Sequence, residues 1–375
     1  MRLSVIIVNY NVQYFLEQCL LSLREVIVAE DSEVIVVDNN STDDSCQMIR
    51  DKFPEVLLLE NNSNLGLAKA NNKGVGVSSG RFLCFLNPDT IIPDNVFPNL
   101  LKKATQLPHV GLVGPRLISG KGNFLRESKR NIPAPLTSLK RLLGIRTRFV
   151  KSYFADHIQE REIGRVDVLD SAFMLIKKDH YLSVGGFDDD YFLYGEDLDL
   201  SYRVKKMGLL NYYLGNITAL HYKGESVDRN ADLVMIFYGA MRLFYSKHFR
   251  SNRVLDFMVS VGIRMVSFIH SFKDFKKNRR EVTQYYLISE NEVLSTNIAS
   301  KLNTELVRVS TIEREDLGDK NIEIIFDGDF MSYLEIIKQM ELLNKQNVTF
   351  KIRPADCDYI LGSDFSDGKG EVITF

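Results

Sequence analysis

The chain has 375 residues, 45% of them hydrophobic, which is enough for a sizeable core and, by length, two domains. Its 47 Lys and Arg against 49 Asp and Glu leave a net charge of -2, which argues against a dedicated nucleic-acid binder. The four cysteines (Cys19, Cys46, Cys84 and Cys357) show no paired spacing; Cys19 and Cys84 sit among apolar residues and read as buried thiols in a reducing compartment.

LSVIIVNY opens the chain as a buried strand, a β-branched run closed by polar residues. That run, 3–8, is too short for a signal-peptide core, so no targeting segment is expected. Val12, Phe15, Leu16, Cys19, Leu20 and Leu23 follow at helical spacing, with Asn11 as the expected N-cap. EVIVVDNN is a second strand, ending in Asp38-Asn39-Asn40, and Ser41 and Asp44 resemble a helix start. EVLLLEN, then the helix NLGLAKANNKGVG, then the strand RFLCFLN and the helix DNVFPNLLKKATQL continue the alternation. Strands alternating with helices predict right-handed crossovers and a mainly parallel sheet, whose ligands sit beyond the carboxyl ends of the strands. Asn9, Asp38, residues 61–64 and residues 87–89 lie at those ends.

Residues 121–151 are basic and Pro-interrupted and read as a long loop or loose helix over one face. Regularity returns with RVDVLDSAFMLIKK, then VGGFDDDYFLYGEDLDLSYRVKKMG and NYYLGNITALHYKGES, and a helix over about 232–248. Residues 242–280 carry ten Lys and Arg against only Asp256 and Asp274, and mix them with aromatics. That pattern suits a helix lying on an anionic membrane surface, or a solvated basic face packed on the main domain. No stretch reaches the roughly 18 uninterrupted apolar residues of a spanning helix; the nearest, 254–269, holds Asp256 and Arg264. From about 284 the period restarts. TQYYLIS, ELVRVS, IEIIFDGD and DYILGSD read as strands, with SENEVLSTNIASKL and SYLEIIKQMELLNKQ as helices, making a second, small α/β domain.

Phosphate-loop motifs fail. ISGKGN has Gly where a P-loop needs Ser or Thr, and GVGVSSG ends a helix instead of following a strand. Asp38 can accept the imide N–H of a pyrimidine base or cap its own turn. Asn64 and Gly66 start the next helix, and Gly66 permits close backbone approach to a ligand. Asp89, oriented by Pro88, is a hard oxygen ligand of the kind a divalent cation shares with a diphosphate, or simply part of an Asn-Pro-Asp turn. Glu196 and Asp197 sit where a helix begins; the dipole favours their ionised forms, and an ionised carboxylate facing a cleft can take a proton from a sugar hydroxyl. The triplet Asp188-Asp189-Asp190 reads as a turn. His221 ends an apolar strand and is a metal-ligand candidate only if Asp89 is one.

The ordered blocks VIIVNYN, VVDNNSTD, NLGLAKANN, FLNPDT, LDSAFMLIKK, GGFDDDYFLYGEDLDLSYRVKKMG and LHYKGES resemble the inverting family 2 glycosyltransferases of GT-A fold, in particular the bacterial rhamnosyltransferase-like branch that builds surface polysaccharides. The resemblance implies an α/β, Rossmann-like transferase domain over 1–250, followed by a basic helical linker at 251–283. It implies that Asp38 reads the base of a UDP- or dTDP-sugar, with Asn9, Tyr10 and Asn40 in the same pocket and Asn64 and Gly66 lining the nucleotide. Asn87-Pro88-Asp89 takes the place of the family's DxD motif, with Asp89 and His221 holding Mg²⁺ or Mn²⁺. Asp197, in the pair with Glu196, becomes the general base of a metal-dependent, inverting hexosyl transfer to a glycan or lipid-linked acceptor. Asn87 departs from the Asp of many relatives and implies a weaker metal site. The basic loop, 121–151, is expected to gate the acceptor side and to recognise a lipid diphosphate through Arg126, Lys129 and Arg130. The tail, 284–375, resembles the small Rossmann-like, CoA-binding-like domain of bacterial sugar-phosphate transferases; lacking G-x-G-x-x-G, it is expected to dock or assemble without a cofactor. The location implied is cytoplasmic, peripheral on the inner face of the membrane. The competing readings are a non-catalytic nucleotide-sugar-binding module and a nucleotidyltransferase; the latter would need a Gly-rich basic loop after the first strand, and VIIVNYNVQYF has none.

Overall fold

A computed structural model describes residues 3–24, 26, 31–133, 153–225, 231–249, 281–364 and 369–375, with only the backbone for 231–234. Four parallel strands form one half of the larger sheet: β1 (Leu3–Asn9), β2 (Ser32–Asp38), β3 (Leu57–Glu60) and β4 (Phe82–Leu86), in spatial order β3-β2-β1-β4. Helices α1 (Gln13–Ser22), α2 (Ser45–Lys52) and α3 (Leu67–Val77) connect them. The registers carry the polar tips to one edge: Asn9 pairs with Asp38, Asp38 with Glu60, and Ile7 with Leu86. Alternation decides the layering, because successive strand side chains face opposite ways. Val5 and Ile7 pack with Leu16, Cys19 and Leu20 of α1 on one face, whereas Ile6 packs with Ala68, Ala70 and Val75 of α3 on the other. Each buried aliphatic side chain contributes about 1.5–3 kcal/mol.

The other half is mixed. Beyond β4 come β10 (Phe173–Lys177), antiparallel to both neighbours, then β6 (Val110–Ile118) and β11 (Leu210–His221), which are parallel to each other. The short β5 (Thr90–Ile91) closes the order antiparallel to β11 and pairs Thr90 with His221. Between β5 and β6 lies α4 (Val96–Gln106), and β8 (Ile163–Val166) adds to β11. Residues 126–130 form a 3₁₀ turn running into β7 (Lys129–Arg130), which pairs with β9 (Val168–Leu169). After β10 come α5 (Lys178–Ser183) and α6 (Glu196–Lys206), and α7 (Ala231–His248) follows β11. Asn11 does not cap α1. Its φ of 55° turns it away, its Oδ1 accepts from the Thr42 N–H at 2.7 Å, and Asp43 takes the Gln13 N–H at 2.9 Å instead.

The second sheet has order β13-β12-β14-β15-β16-β17: β12 (Gln284–Ile288), β13 (Leu306–Val309), β14 (Ile322–Asp327), β15 (Val348–Arg353), β16 (Tyr359–Gly362) and β17 (Glu371–Thr374). Helices α8 (Glu292–Leu302) and α9 (Tyr333–Leu343) serve it. The sequence reading lacks β15 and β17. Lys351 lies in the middle of β15 and is fully buried, its ammonium 2.9 Å from Glu371 and 3.2 Å from Glu323, so a charge interrupts the apolar pattern of a core strand. The two sheets share a hydrophobic cluster: Val12, Phe15, Leu220 and Tyr222 pack with Ile324, Met340, Phe350 and Leu361. Polar contacts reinforce it, including Gly370 N–H to Glu225 at 2.6 Å and Asn344 to Asn123 at 2.8 Å. The expected linker core, 251–280, and the part of the basic loop at 134–152 lie outside the described residues.

Candidate active site

At the tips of β1 and β2, Asp38 is buried and fully engaged. Its Oδ1 accepts from Asn9 Nδ2 at 2.8 Å and Ser41 Oγ at 2.6 Å, and its Oδ2 from the Ser41 N–H at 2.8 Å. The carboxylate therefore closes its own turn, while the helix starts later, at Ser45. Asn9 keeps a buried Oδ1 with no hydrogen-bond partner, an acceptor at the strand tip. Tyr10 is half-buried beside it, and Asn40 is exposed, with a φ of 66°. Across the edge, Asn39 receives Asn61 Nδ2 at 2.8 Å and donates to the Gly66 carbonyl at 3.3 Å. Asn64 Oδ1 accepts the Gly66 N–H at 3.0 Å. Gly66 has a φ of +81°, and an added Cβ would lie 2.6 Å from the Phe192 carbonyl oxygen, so close packing of 192 on this turn requires glycine.

Asp89 and His221 meet because β5 and β11 pair. His221 Nε2 lies 3.2 Å from Asp89 Oδ1, and the Lys223 N–H donates to Asp89 Oδ2 at 3.1 Å. Asn87 Nδ2 is 3.3 Å from the same imidazole nitrogen. Burial alone would raise the Asp89 carboxyl, but His221 and the Lys223 N–H outweigh it and hold it below its ordinary range. Burial likewise opposes the charge on His221, and Asp89 overcomes it, so the His221 pKa is raised. Among the described residues, no group of three or more His, Cys, Asp or Glu could hold a metal on its own. Among the described residues, Asp89 and His221 meet here with the Asn87 amide beside them, and Glu225 and Asp170 lie near enough to act on the pair electrostatically.

At the start of α6, Gly195 adopts a φ of +83° and turns the chain inward, which buries Glu196 and Asp197 instead of leaving them in solvent. Asp197 Oδ2 is ion-paired with Arg130, and its Oδ1 accepts the Leu198 N–H at 2.6 Å. Arg130 also donates to the Leu169 carbonyl at 3.0 Å and Tyr153 OH at 3.1 Å. Glu196 takes the Ser171 hydroxyl at 3.1 Å and leaves Oε2 buried without a partner. Burial, then the neighbouring Asp197, push its carboxyl up to about 8, which favours its neutral form. Asp188, Asp189 and Asp190 form the expected turn, tied by Lys247 to Asp188 and Asp190, each at 2.6 Å.

The turn 170–172 joins these two groups. Its Ala172 carbonyl accepts the Asn87 N–H at 3.0 Å, and its Ser171 hydroxyl reaches Glu196. Sequence reasoning passed over Ser171 and Asp170 within LDSAF, where nothing marks the turn except that a polar pair precedes an apolar strand. It placed Arg130 on the acceptor side without pairing it to Asp197, a contact across 67 residues that local pattern cannot carry.

The sequence model named Glycosyl transferase family 2 matches residues 4–178. The chain is 30% identical over 245 residues to an N-acetylglucosaminyl-diphospho-decaprenol L-rhamnosyltransferase of Mycobacterium tuberculosis, covering 61% of this chain and 78% of that protein. It is 30% identical over 130 residues to a GalNAc(5)-diNAcBac-PP-undecaprenol beta-1,3-glucosyltransferase of Campylobacter jejuni, covering 34% and 41% of the two chains. A solved mannosyltransferase from Pyrobaculum calidifontis, in complex with GDP-Man and Mn²⁺, overlaps 73% of this chain and 76% of its own, with a TM-score of 0.47 and 16% identity. The half-parallel, half-mixed sheet is the GT-A arrangement, and the chain belongs to glycosyl transferase family 2.

Proposed function

We propose that this glycosyltransferase moves a hexosyl unit from a UDP- or dTDP-sugar to a hydroxyl of a lipid-linked glycan acceptor, with inversion, in the synthesis of a cell-surface polysaccharide. The observation that carries the reading is the 170–172 turn, which holds Asn87, beside the Asp89–His221 pair, and Glu196, beside the Asp197–Arg130 pair, within one constellation. A leaving diphosphate and an incoming hydroxyl need their two kinds of help at neighbouring places.

Asp38 and Asn9, hydrogen-bonded to each other, form the pocket for the base, and the buried Asn9 Oδ1 has no hydrogen-bond partner of its own. Gly66 and Asn64 shape the turn beside it. Asp89 and His221 are the residues that would hold a divalent cation; the pair fits an ion that draws its remaining ligands from a diphosphate. Such an ion, when bound, supplies positive charge against the negative charge developing on the leaving group. Asp197 takes the acceptor proton, and Arg130 holds the carboxylate in place while each oxygen keeps a lone pair. Glu196, kept neutral by burial, spares Asp197 a second adjacent negative charge. One displacement then inverts the anomeric centre without an enzyme nucleophile. The reading assigns the transferase to 1–250, the basic connector to 251–283 and an accessory unit to 284–375. Peripheral contact with the membrane rests on the composition of 242–280; no described helix is long and apolar enough to cross one.

The test is calorimetric titration of UDP-, dTDP- and GDP-sugars with Mg²⁺ or Mn²⁺, followed by NMR assignment of the product anomer. A UDP- or dTDP-sugar should bind in a metal-dependent way and give the inverted anomer. Retained configuration, or binding indifferent to the metal, would contradict the scheme.

A further inference from the structure

A cleft of about 350 Å³ opens beside the Asp89–His221 pair, which it reaches through Lys223. Lys121, Arg126 and Lys223 line it with Phe124, Phe154 and a single carboxylate, Glu127. Three cations gather here against Glu127 in the lining and Asp156 beside Arg126, a local excess of one positive charge in a chain of net charge -2. Lys223 connects the cleft to the site already described. It is a non-glycine residue at a φ of +69°, a strained conformation that aims its N–H at Asp89 while its ammonium reaches Glu127 at 2.8 Å in the cleft. The Arg126 guanidinium stacks on the Phe154 ring at 4.3 Å, which orients the donors along its rim. Its ion pair with Asp156 is exposed on both sides, a contact weak enough to exchange for a ligand. From Arg126 the chain runs through the 3₁₀ turn to Arg130, on the Asp197 carboxylate. One short segment, 126–130, therefore runs from the cleft to the ion-pair partner of the proposed base. The second sheet's unit buttresses the far rim, where Asn344 donates to Asn123 and Lys121 reaches the Gln346 carbonyl at 3.5 Å.

We propose that this cleft binds the diphosphate of the acceptor, with Lys121, Arg126 and Lys223 as its counter-charges and the phenyl rings against the first carbons of the lipid. The proposal rests on the reading of a lipid-linked acceptor and adds where, and by what chemistry, that acceptor is held. In it the C-terminal unit keeps the rim of the acceptor cleft in place.

The probe is geranyl diphosphate, titrated calorimetrically in EDTA so that no metal bridges it to Asp89, with inorganic pyrophosphate alongside. Wild type should bind geranyl diphosphate more tightly than pyrophosphate, and less tightly as NaCl rises. The double variant Lys121→Gln with Arg126→Gln should lose at least tenfold in affinity while binding UDP with Mn²⁺ as wild type does, which also shows that it is folded. Lys223→Gln, which keeps the backbone N–H to Asp89, should weaken binding in the same direction. Unchanged affinity in the double variant overturns the proposal. So does loss of binding in Asp89→Asn alone, which would place the anion in the donor site. Equal affinity for pyrophosphate and geranyl diphosphate would mark a site for free anions and refute the acceptor assignment. Failure of wild type to bind any nucleotide sugar with metal would instead sink the glycosyltransfer scheme and leave cleft binding standing by itself.

Discussion

Asp197→Asn separates base chemistry from binding. The substitution is isosteric. Its Oδ1 can keep the Leu198 N–H, but the other position becomes an NH₂ facing the Arg130 guanidinium, donor against donor. Both members of that pair are only 11% exposed, so losing it removes a nearly dry interaction. Breaking a buried pair costs about 3–5 kcal/mol. Arg130 retains Leu169 O and Tyr153 OH, and the partial exposure lets water in, so we expect the lower end, ~3 kcal/mol. Loss of a positioned base removes roughly 10²–10⁴ of rate. The variant should therefore melt several degrees lower, release nucleoside diphosphate at least about a hundredfold more slowly, and bind UDP with metal as wild type does. The assay is coupled nucleoside diphosphate release with acceptor present, with calorimetry on the same preparation well below its melting point. Transfer within a few-fold of wild type would refute Asp197 as the base. Loss of UDP affinity in step with rate would refute the separation of the base from the donor site.

Gly66→Ala should lower stability by about 3 kcal/mol, since a strained backbone region costs of order 1–3 kcal/mol and the new Cβ meets the Phe192 carbonyl as well; chemical denaturation measures it, and weaker nucleotide binding should accompany it. Glu196 has its folded pKa raised from 4.5 to about 8, so the unfolded chain ionises first and wild type loses stability as pH climbs through that window. Glu196→Gln has no such proton to lose. Its melting temperature relative to wild type should rise from pH 5 to pH 9, and a flat difference would rule out the buried neutral acid. Lys351→Met removes the buried ammonium that faces Glu323 and Glu371 across β15 and should cost about 3 kcal/mol. Because the two sheets share one cluster, urea should give a single lowered transition, not a separate early melting of the C-terminal unit.

The α/β alternation, the strand-end location of the chemistry and most element positions were legible in local pattern. The continuous apolar runs of β1, β2 and β4, buried on both faces, and helical spacing in α1 and α6 are properties of adjacent residues. Asp89 and His221 were legible as a pair only through resemblance, because 132 residues separate them and only the β5–β11 register brings them together. Charged strands hid themselves: β15 carries Lys351, and a buried ammonium among carboxylates reads as surface until the partners are known.

By itself, the sequence determined which side chains stand at the strand tips, because alternation and the polar ends of apolar runs are local properties. Tertiary structure alone decided their electrostatics. Arg130 sits on Asp197, burial raises the Glu196 carboxyl, and Lys121 and Arg126 line one cleft with Lys223. These outcomes depend on desolvation and on charges brought near from distant parts of the chain, and Coulomb energies and burial are functions of distance in space, not along the sequence.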